Sequence, residues 1–558
     1  MLTGSLLAPG DADYLMQSVE AARKSMLEYG QFPWWNPWIS GGVPLFANPQ
    51  FGLLSLPTLC GLVFGSILGY KIALVMYLII GFWGMFYLLN RCFRTPIITA
   101  ILLSYVWTFG SFFAHRVAGH YTFFTIEFFP LLLYIFIRRR EIKHGWLWFG
   151  LLLGLMINAA AHNTTVMSLA VIGLFIIIEL VKIGLKISKK RSLKVSIELN
   201  LIEIKMLVMA GLVTLVVAGP RMLLSMSYVR EYPRNLSFFP EETIGIFKGI
   251  FSIFGPIRQY IDQPTIPNWS WMEVSAYIGF ATGIAAIICL ILLIRSRLLF
   301  KHVVNRISPG IILILGVVFF LLGLGLIIGN VSPYNILSHL PVFSDMRVAS
   351  RWMVWSSLMV ILFVGAYPLN RYRKVINALV AISVVELFIF GSVFFAKPYT
   401  IHAADYPESD VINQQIHYDT KRNGAVYDEN LTATTMSNIG QVIAGDALID
   451  TRNPAPFGAD TIRCDSDINS CTFILTNNAT VEKWSPNHII LRRTGPGNIR
   501  INMNPGKYWL VNGVYPFWNM RLAEPGSEFI ITNPSDRIAL KIQPKFSPEW
   551  FMWRLSQL

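Results

Sequence analysis

Two carboxylates stand two positions apart near the start of the sequence, in Gly10-Asp11-Ala12-Asp13-Tyr14, just ahead of a helical pattern from Tyr14 to Tyr29. An Asp at a helix start caps backbone N–H groups and meets the positive end of the dipole. That accounts for one of the pair and does not require both. The chemical alternatives are a general base that takes a proton from a hydroxyl, or a DxD-type site in which Asp11 and Asp13 share a divalent cation, Mg or Mn. Downstream lie Phe32-Pro33-Trp34-Trp35-Asn36-Pro37-Trp38, Gly41-Gly42-Val43-Pro44 and Asn48-Pro49-Gln50. This much Pro and Trp makes a rigid loop rather than a helix. Its Trp residues suit anchoring at a membrane interface. With Tyr14, the residues Trp35, Asn36 and Asn48 equally suit the wall of an acceptor or lipid pocket.

A second group of candidates is cationic. Arg116, Gly119 and His120 fall in one short turn, Arg221 ends an apolar run with Arg230 and Arg234 beyond it, and Arg347 and Arg351 precede another run. Glu273 begins a further run, and Glu127 and Glu386 lie inside apolar stretches. Arginine binds phosphate through a planar, two-pronged set of donors. For each Arg alone, contact with lipid headgroups explains as much. Several of them on one face with Glu273 and the Asp pair point to a phosphate-bearing substrate.

The elements that position these residues follow from composition. Of 558 residues, 54% are apolar and 14% charged, with mean hydropathy +0.51. A soluble domain carries about 25% charge, so most of the chain does not face water, and disorder is excluded by its 38 Phe and 16 Trp. Ten apolar runs have the length of a membrane span: about 69–90, 95–113, 121–137, 145–161, 164–184, 205–226, 274–294, 309–329, 352–369 and 375–396. The run 51–65 contains Pro57 and is too short, which suggests a re-entrant or interfacial segment, or a short span. The net charge of +14 is mostly topological. Arg91 and Arg94, the cluster Arg138 to Lys143, the set from Lys182 to Lys205, the group from Arg295 to Arg306, and Arg371 to Lys374 occupy alternate loops. The positive-inside rule makes those loops cytoplasmic. The opposite face then holds Asp11, Asp13, the arginines above and everything after residue 396. No basic-aromatic module supports nucleic-acid binding.

The expected organisation is a first outer loop (1–68), a transmembrane domain (69–396) and an outer tail (397–558). From about Thr461 the tail alternates short β-like runs with turns. The runs are Thr472–Leu475, His488–Arg492, Ile499–Met503, Tyr508–Val511, Phe529–Thr532 and Ile538–Ile542, with a turn at Asn504-Pro505-Gly506. A small β-sandwich is expected, with Trp509, Tyr515, Phe517 and Trp518 as its core rather than as a ligand box. Cys464 and Cys471 are the disulfide candidate, with two free thiols as the alternative.

Several motifs together resemble the bacterial YfhO-like membrane proteins of the GT-C glycosyltransferase superfamily. They are Gly10-Asp11 with Gln17, then Trp35-Asn36-Pro37 through Asn48-Pro49-Gln50, then Arg116 with Gly119-His120. Glu273 through Tyr277-Ile278-Gly279 follows, then Leu340-Pro341-Val342-Phe343 leading to Arg347 and Ser350-Arg351, and the tail from Tyr508 to Trp518. The resemblance implies a GT-C-like polytopic helical fold with an extracytoplasmic β-rich domain, in the bacterial inner membrane. It implies inverting transfer of a sugar from a polyprenyl-phosphate donor to an envelope glycan, lipid or protein acceptor. Asp11, with Asp13 second, takes the general-base or metal-binding role. The family pattern has a membrane helix ahead of the acidic motif, where this sequence has only Met1 to Pro9, and a closing helix after the β domain, so a longer natural chain is expected. The competing expectations are a lipid-linked-glycan transporter working through Glu127 or Glu386, and a non-catalytic assembly protein on the same scaffold.

Overall fold

The computed structural model describes residues 11–38, 42–117, 121–187, 193–231, 246–255, 271–300, 308–325, 333–340, 343, 346, 348–368, 372–396, 418–419, 447–448, 476–501, 509–512, 529–531 and 535–542. The fold is mostly helical, with a small β region near the C-terminus. The chain divides into two units. One takes residues 72–222 and 234–398, and the other takes 2–71, 223–233 and 399–558.

Helices lie on each of the ten apolar runs of the sequence. Among the described residues, four are long and apolar enough to cross a membrane: Ser66–Cys92, Ile97–Arg116, Ile204–Tyr228 and Arg373–Gly391. Six shorter apolar helices accompany them, over Tyr121–Ile137, Gly145–Asn158, His162–Ile178, Phe280–Arg295, Pro309–Leu324 and Ala349–Gly365. Their outward faces carry Ile79, Val216, Val317 and Phe388, at least half exposed or nearly so, as suits contact with lipid. Residues 51–65 contain a nine-residue helix, Leu56–Phe64, with Pro57 in its first turn and Ser55 capping Thr58 N at 3.3 Å. Nine residues rise about 14 Å, well short of the hydrocarbon core.

One span departs from the sequence reading. The run 274–294 is not a continuous helix. A short helix, Trp271–Val274, gives way to an extended stretch, and the long helix begins only at Phe280. The break is at Gly279, whose φ is +89° and where a Cβ would strike Ser383. Irregular backbone among apolar helices must find its hydrogen bonds in protein, and here it does. Ser111 N donates to Tyr277 O at 3.0 Å and Tyr277 N to Ser111 Oγ at 2.6 Å. Ala276 N and Ile278 N donate to Ser252 O and Ile253 O, both at 3.1 Å, and Ser357 Oγ donates to Ala276 O at 2.6 Å. Ser111 also bonds Ser275. Glu386 caps the helix that follows, accepting from Phe280 N at 3.1 Å and from the Tyr277 hydroxyl.

In the second unit, a four-stranded antiparallel sheet runs in the order Ala479–Ser485, His488–Arg493, Arg537–Ile542, Trp509–Val511. A separate pair joins Ile499–Ile501 to Phe529–Ile531. Ile489, Leu491, Ile499, Trp509, Ile538 and Leu540 form one core with Trp35. The strand Ala479–Ser485 is absent from the sequence reading, and Thr472–Leu475, Asn504 to Gly506, Tyr515, Phe517, Trp518, Cys464 and Cys471 lie outside the described residues.

Candidate functional site

Arg116, Glu273 and Arg351 meet. Arg116 ends the helix Ser111–Arg116, which follows a break at Gly110 in the second apolar run. It is therefore helical rather than part of a turn. Glu273 sits on the short helix held by the Ser111 bonds, and Arg351 in a 3₁₀ turn, Ala349–Trp352. Arg351 grips the Glu273 carboxylate with Nε to Oε2 at 2.8 Å and Nη2 to Oε1 at 2.6 Å. Arg116 Nη2 stands 3.7 Å from Glu273 Oε2. The side chains of Arg116, Glu273 and Arg351 are 0%, 21% and 13% exposed. Ser350 Oγ donates to Glu273 O at 3.0 Å, which fixes the two backbone segments together.

Two aromatic rings support the guanidinium groups. Arg116 Cζ lies 3.6 Å from the centre of the Phe112 ring and 5.1 Å from that of Phe123, and Arg351 Cζ lies 4.8 Å from Phe123. Arg116 Nη1 donates to Phe112 O at 3.0 Å, while its Nε and Nη2 make no hydrogen bond. Two guanidinium groups thus share one carboxylate, leaving an excess positive charge and two buried donors in a partly open cluster. That combination can receive an oxyanion such as phosphate. The sequence reading passed over Phe112 and Phe123. Phe112 is four residues before Arg116, on the same helix face, so its signal was present.

The other candidates are elsewhere or differently placed. Arg221 is buried and donates to Ile157 O at 2.6 Å, a bond between helices. Arg230 lies on the helix Leu193–Glu231, but its side chain is outside the described set, as are His120 and Arg347 altogether. Trp35 is 1% exposed and seated in the β core, so it closes that core instead of facing an open pocket. Asn36 Oδ1 accepts from Trp38 N at 3.1 Å, and Asn48 Oδ1 from Gln50 N at 2.9 Å, so both brace their own loop. His162 shares a hydrogen bond with Ala160 O at 3.1 Å. Glu127 does not reach out of the helix bundle; it is 1% exposed, within a 3₁₀ turn.

Asp11 and Asp13 occupy the first turn of the helix Asp11–Leu27, and Tyr14 follows on the same helix. The side chains of Asp11, Asp13 and Tyr14 lie outside the described set. Among the described residues no three His, Cys, Asp or Glu side chains gather as a metal site.

Fold and site together define a polytopic helical membrane protein with a small β domain and an arginine-rich cluster at the end of its second apolar helix. No family model and no curated protein matches the chain. Among solved structures it is similar to ArnT from Cupriavidus metallidurans. The crystal structure of that protein bound to undecaprenyl phosphate shares 12% identity over 82% of this chain and 84% of that one, with a TM-score of 0.41. Its apo structure gives 11% identity over the same shares and a TM-score of 0.37.

Proposed function

We propose that this chain is a membrane glycosyltransferase of GT-C type, which moves a sugar from a polyprenyl-phosphate carrier to an envelope acceptor at the outer face of a bacterial inner membrane. The observation that carries the reading is the cluster in which Arg116 and Arg351 share Glu273. A carrier phosphate is the leaving group of such a transfer, and its negative charge grows as the bond to the anomeric carbon breaks. Guanidinium groups already aligned and backed by aromatic rings stabilise that charge without reorganising. Glu273 holds Arg351 in place until the phosphate competes for its donors.

In the proposed reaction, Asp11 or Asp13 takes the proton of the acceptor hydroxyl. The hydroxyl oxygen forms a bond to the anomeric carbon as the bond from that carbon to the phosphate oxygen breaks. The electron pair leaves with the phosphate and the configuration inverts.

The test is transfer by the purified full-length chain in lipid nanodiscs, supplied with a panel of undecaprenyl-phosphate sugars and envelope-glycan acceptors. Transfer should fall at least about tenfold in Arg351→Ala and vanish in the double variant Asp11→Asn, Asp13→Asn. Transfer unaffected by these changes, or none with any donor, would sink the reading.

A further inference from the structure

The helix that carries the acidic pair, Asp11–Leu27, is tied at its far end to the β domain. Past Leu27 the chain folds back on the last turn. Glu28 N donates to Lys24 O at 2.9 Å and Gln31 N to Ser25 O at 2.8 Å, which fixes Gln31 to the helix end. The Gln31 side chain reaches the hairpin turn Ser485-Pro486-Asn487-His488, between the strands Ala479–Ser485 and His488–Arg493. Gln31 Nε2 donates to Ser485 Oγ at 2.9 Å, and Gln31 Oε1 accepts from Asn487 N at 3.0 Å. Asn487 Nδ2 donates to Phe32 O at 2.7 Å. These partners are 454 to 456 residues apart in sequence and belong to one unit.

The Gln31 amide has one workable orientation. Ser485 Oγ gives its hydrogen to His488 O at 2.8 Å, so toward Gln31 it accepts. Turning the amide over would set its NH2 group against the Asn487 N–H, donor to donor. Trp484 closes the joint, edge-on to Tyr29 and Trp38 with ring centres 5.7 Å and 6.1 Å away. Hydrogen bonds at both amide atoms fix direction as well as distance.

The same helix has a second support near its middle. Val19 is buried on Gly61 of the helix Leu56–Phe64, where a Cβ would strike Val19 Cγ1. Val19 stands about 12 Å along the axis from Asp11 and about 12 Å from Leu27. A rigid helix that pivots there moves its two ends by equal amounts in opposite directions. We infer that Gln31, through Ser485 and Asn487, is a positioning residue for the acidic motif: the hairpin turn holds one end of a lever whose other end carries Asp11 and Asp13. The consequence for catalysis rests on the proposed reaction, in which one of those carboxylates takes the acceptor proton. A displacement of about 1 Å is enough to weaken an oriented base.

Two readouts on the full chain in nanodiscs decide the matter. The first is hydrogen exchange. Gln31→Ala should speed exchange about tenfold at residues 15–20, on the far side of the helix from the substitution, while the strand Arg537–Ile542 keeps the parental rate. Faster exchange confined to residues 25–38 would mark a purely local joint and overturn the lever. If Gln31→Ala fails to fold, Asn487→Ala, which removes only the bond to Phe32 O, should give the same far-end change at about threefold; parental exchange there overturns the lever as well. The second readout is transfer from undecaprenyl-phosphate sugars. In Gln31→Ala kcat should fall about tenfold, with KM for the donor within about threefold of the parent. The arginine cluster lies in the other unit and is untouched. Gln31→Glu keeps an acceptor for Asn487 N, and its second oxygen can take the Ser485 hydroxyl hydrogen. It should restore kcat to within about threefold of the parent. A Glu variant as slow as the Ala one, or a loss carried by KM alone, overturns the positioning role. A parent chain that transfers no sugar removes the proposed function and the catalytic consequence with it, while exchange still decides the lever.

Discussion

Arg351 holds Glu273 through two parallel hydrogen bonds, and Glu273 is at the same time the one acidic partner of Arg116 among the described residues. The two ends of the Arg351–Glu273 pair are therefore not equivalent. Removing Arg351 leaves Glu273 with Arg116. Removing Glu273 strands two guanidinium groups, one of them fully buried. Losing one partner of a buried pair costs about 3–5 kcal/mol, and a charge-assisted hydrogen bond is worth about 1.5–3 kcal/mol. Glu273→Ala should consequently lower thermal stability more than Arg351→Ala, by about 1–2 kcal/mol. The double variant should recover part of the Glu273→Ala loss. Unfolding of the three variants in one lipid environment checks this, and equal losses in both single variants would contradict it.

Arg116→Lys should behave as a severe change although it keeps the charge. The guanidinium carbon lies 3.6 Å from the centre of the Phe112 ring, and the group spends one donor on Phe112 O. An ammonium offers neither a planar face nor a fork. Affinity for undecaprenyl phosphate should drop about tenfold or more, with helix content unchanged. Titration of the purified variant against the parent measures it.

Trp35 packs edge-on against Trp509, with ring centres 5.7 Å apart and planes at 79°. It belongs to the β core although it lies more than 400 residues before the strands of that core in the sequence. Trp35→Ala should destabilise that unit by about 3–5 kcal/mol, visible as faster hydrogen exchange in the strands His488–Arg493 and Arg537–Ile542. Gly42→Ala should have the same sign. Its φ is +97°, and a Cβ would stand 2.6 Å from Trp35 Cε2.

The ten helices were legible because apolar runs leave no other way to satisfy the backbone. What the sequence obscured were the breaks inside those runs. Residues Ser275 to Gly279 read as the start of a span because Tyr, Ile and Ala are apolar enough. They become extended because Ser111, Ser252, Ile253 and Ser357, distant in sequence, supply the hydrogen bonds. The cluster was legible one residue at a time: Arg116, Glu273 and Arg351 each stood out, but their meeting depends on that same extended stretch. Arg221 stood out equally and instead ties two helices together. The strand Ala479–Ser485 was hidden because its alternation is interrupted by a bulge between Val481 and Lys483.

His488 gives a pH dependence outside the membrane. Burial lowers its pKa below the usual histidine value, and the charges of Lys483, Lys541 and Arg537 push in the same direction. Lys541 is its direct cross-strand neighbour. The unfolded chain has none of these constraints, so it takes up the proton first as pH falls. The neutral ring's contribution is thus complete above about pH 6.5, the unperturbed value. It declines as pH falls from there through the lowered folded-state pKa, because over that interval the unfolded state binds more protons. His488→Gln should remove this slope while leaving stability at pH 8 nearly unchanged. The readout is the unfolding midpoint of parent and variant at matched ionic strength between pH 8 and pH 5. A parent profile no steeper than that of the variant would show that the surrounding lysines and arginine do not act on the ring.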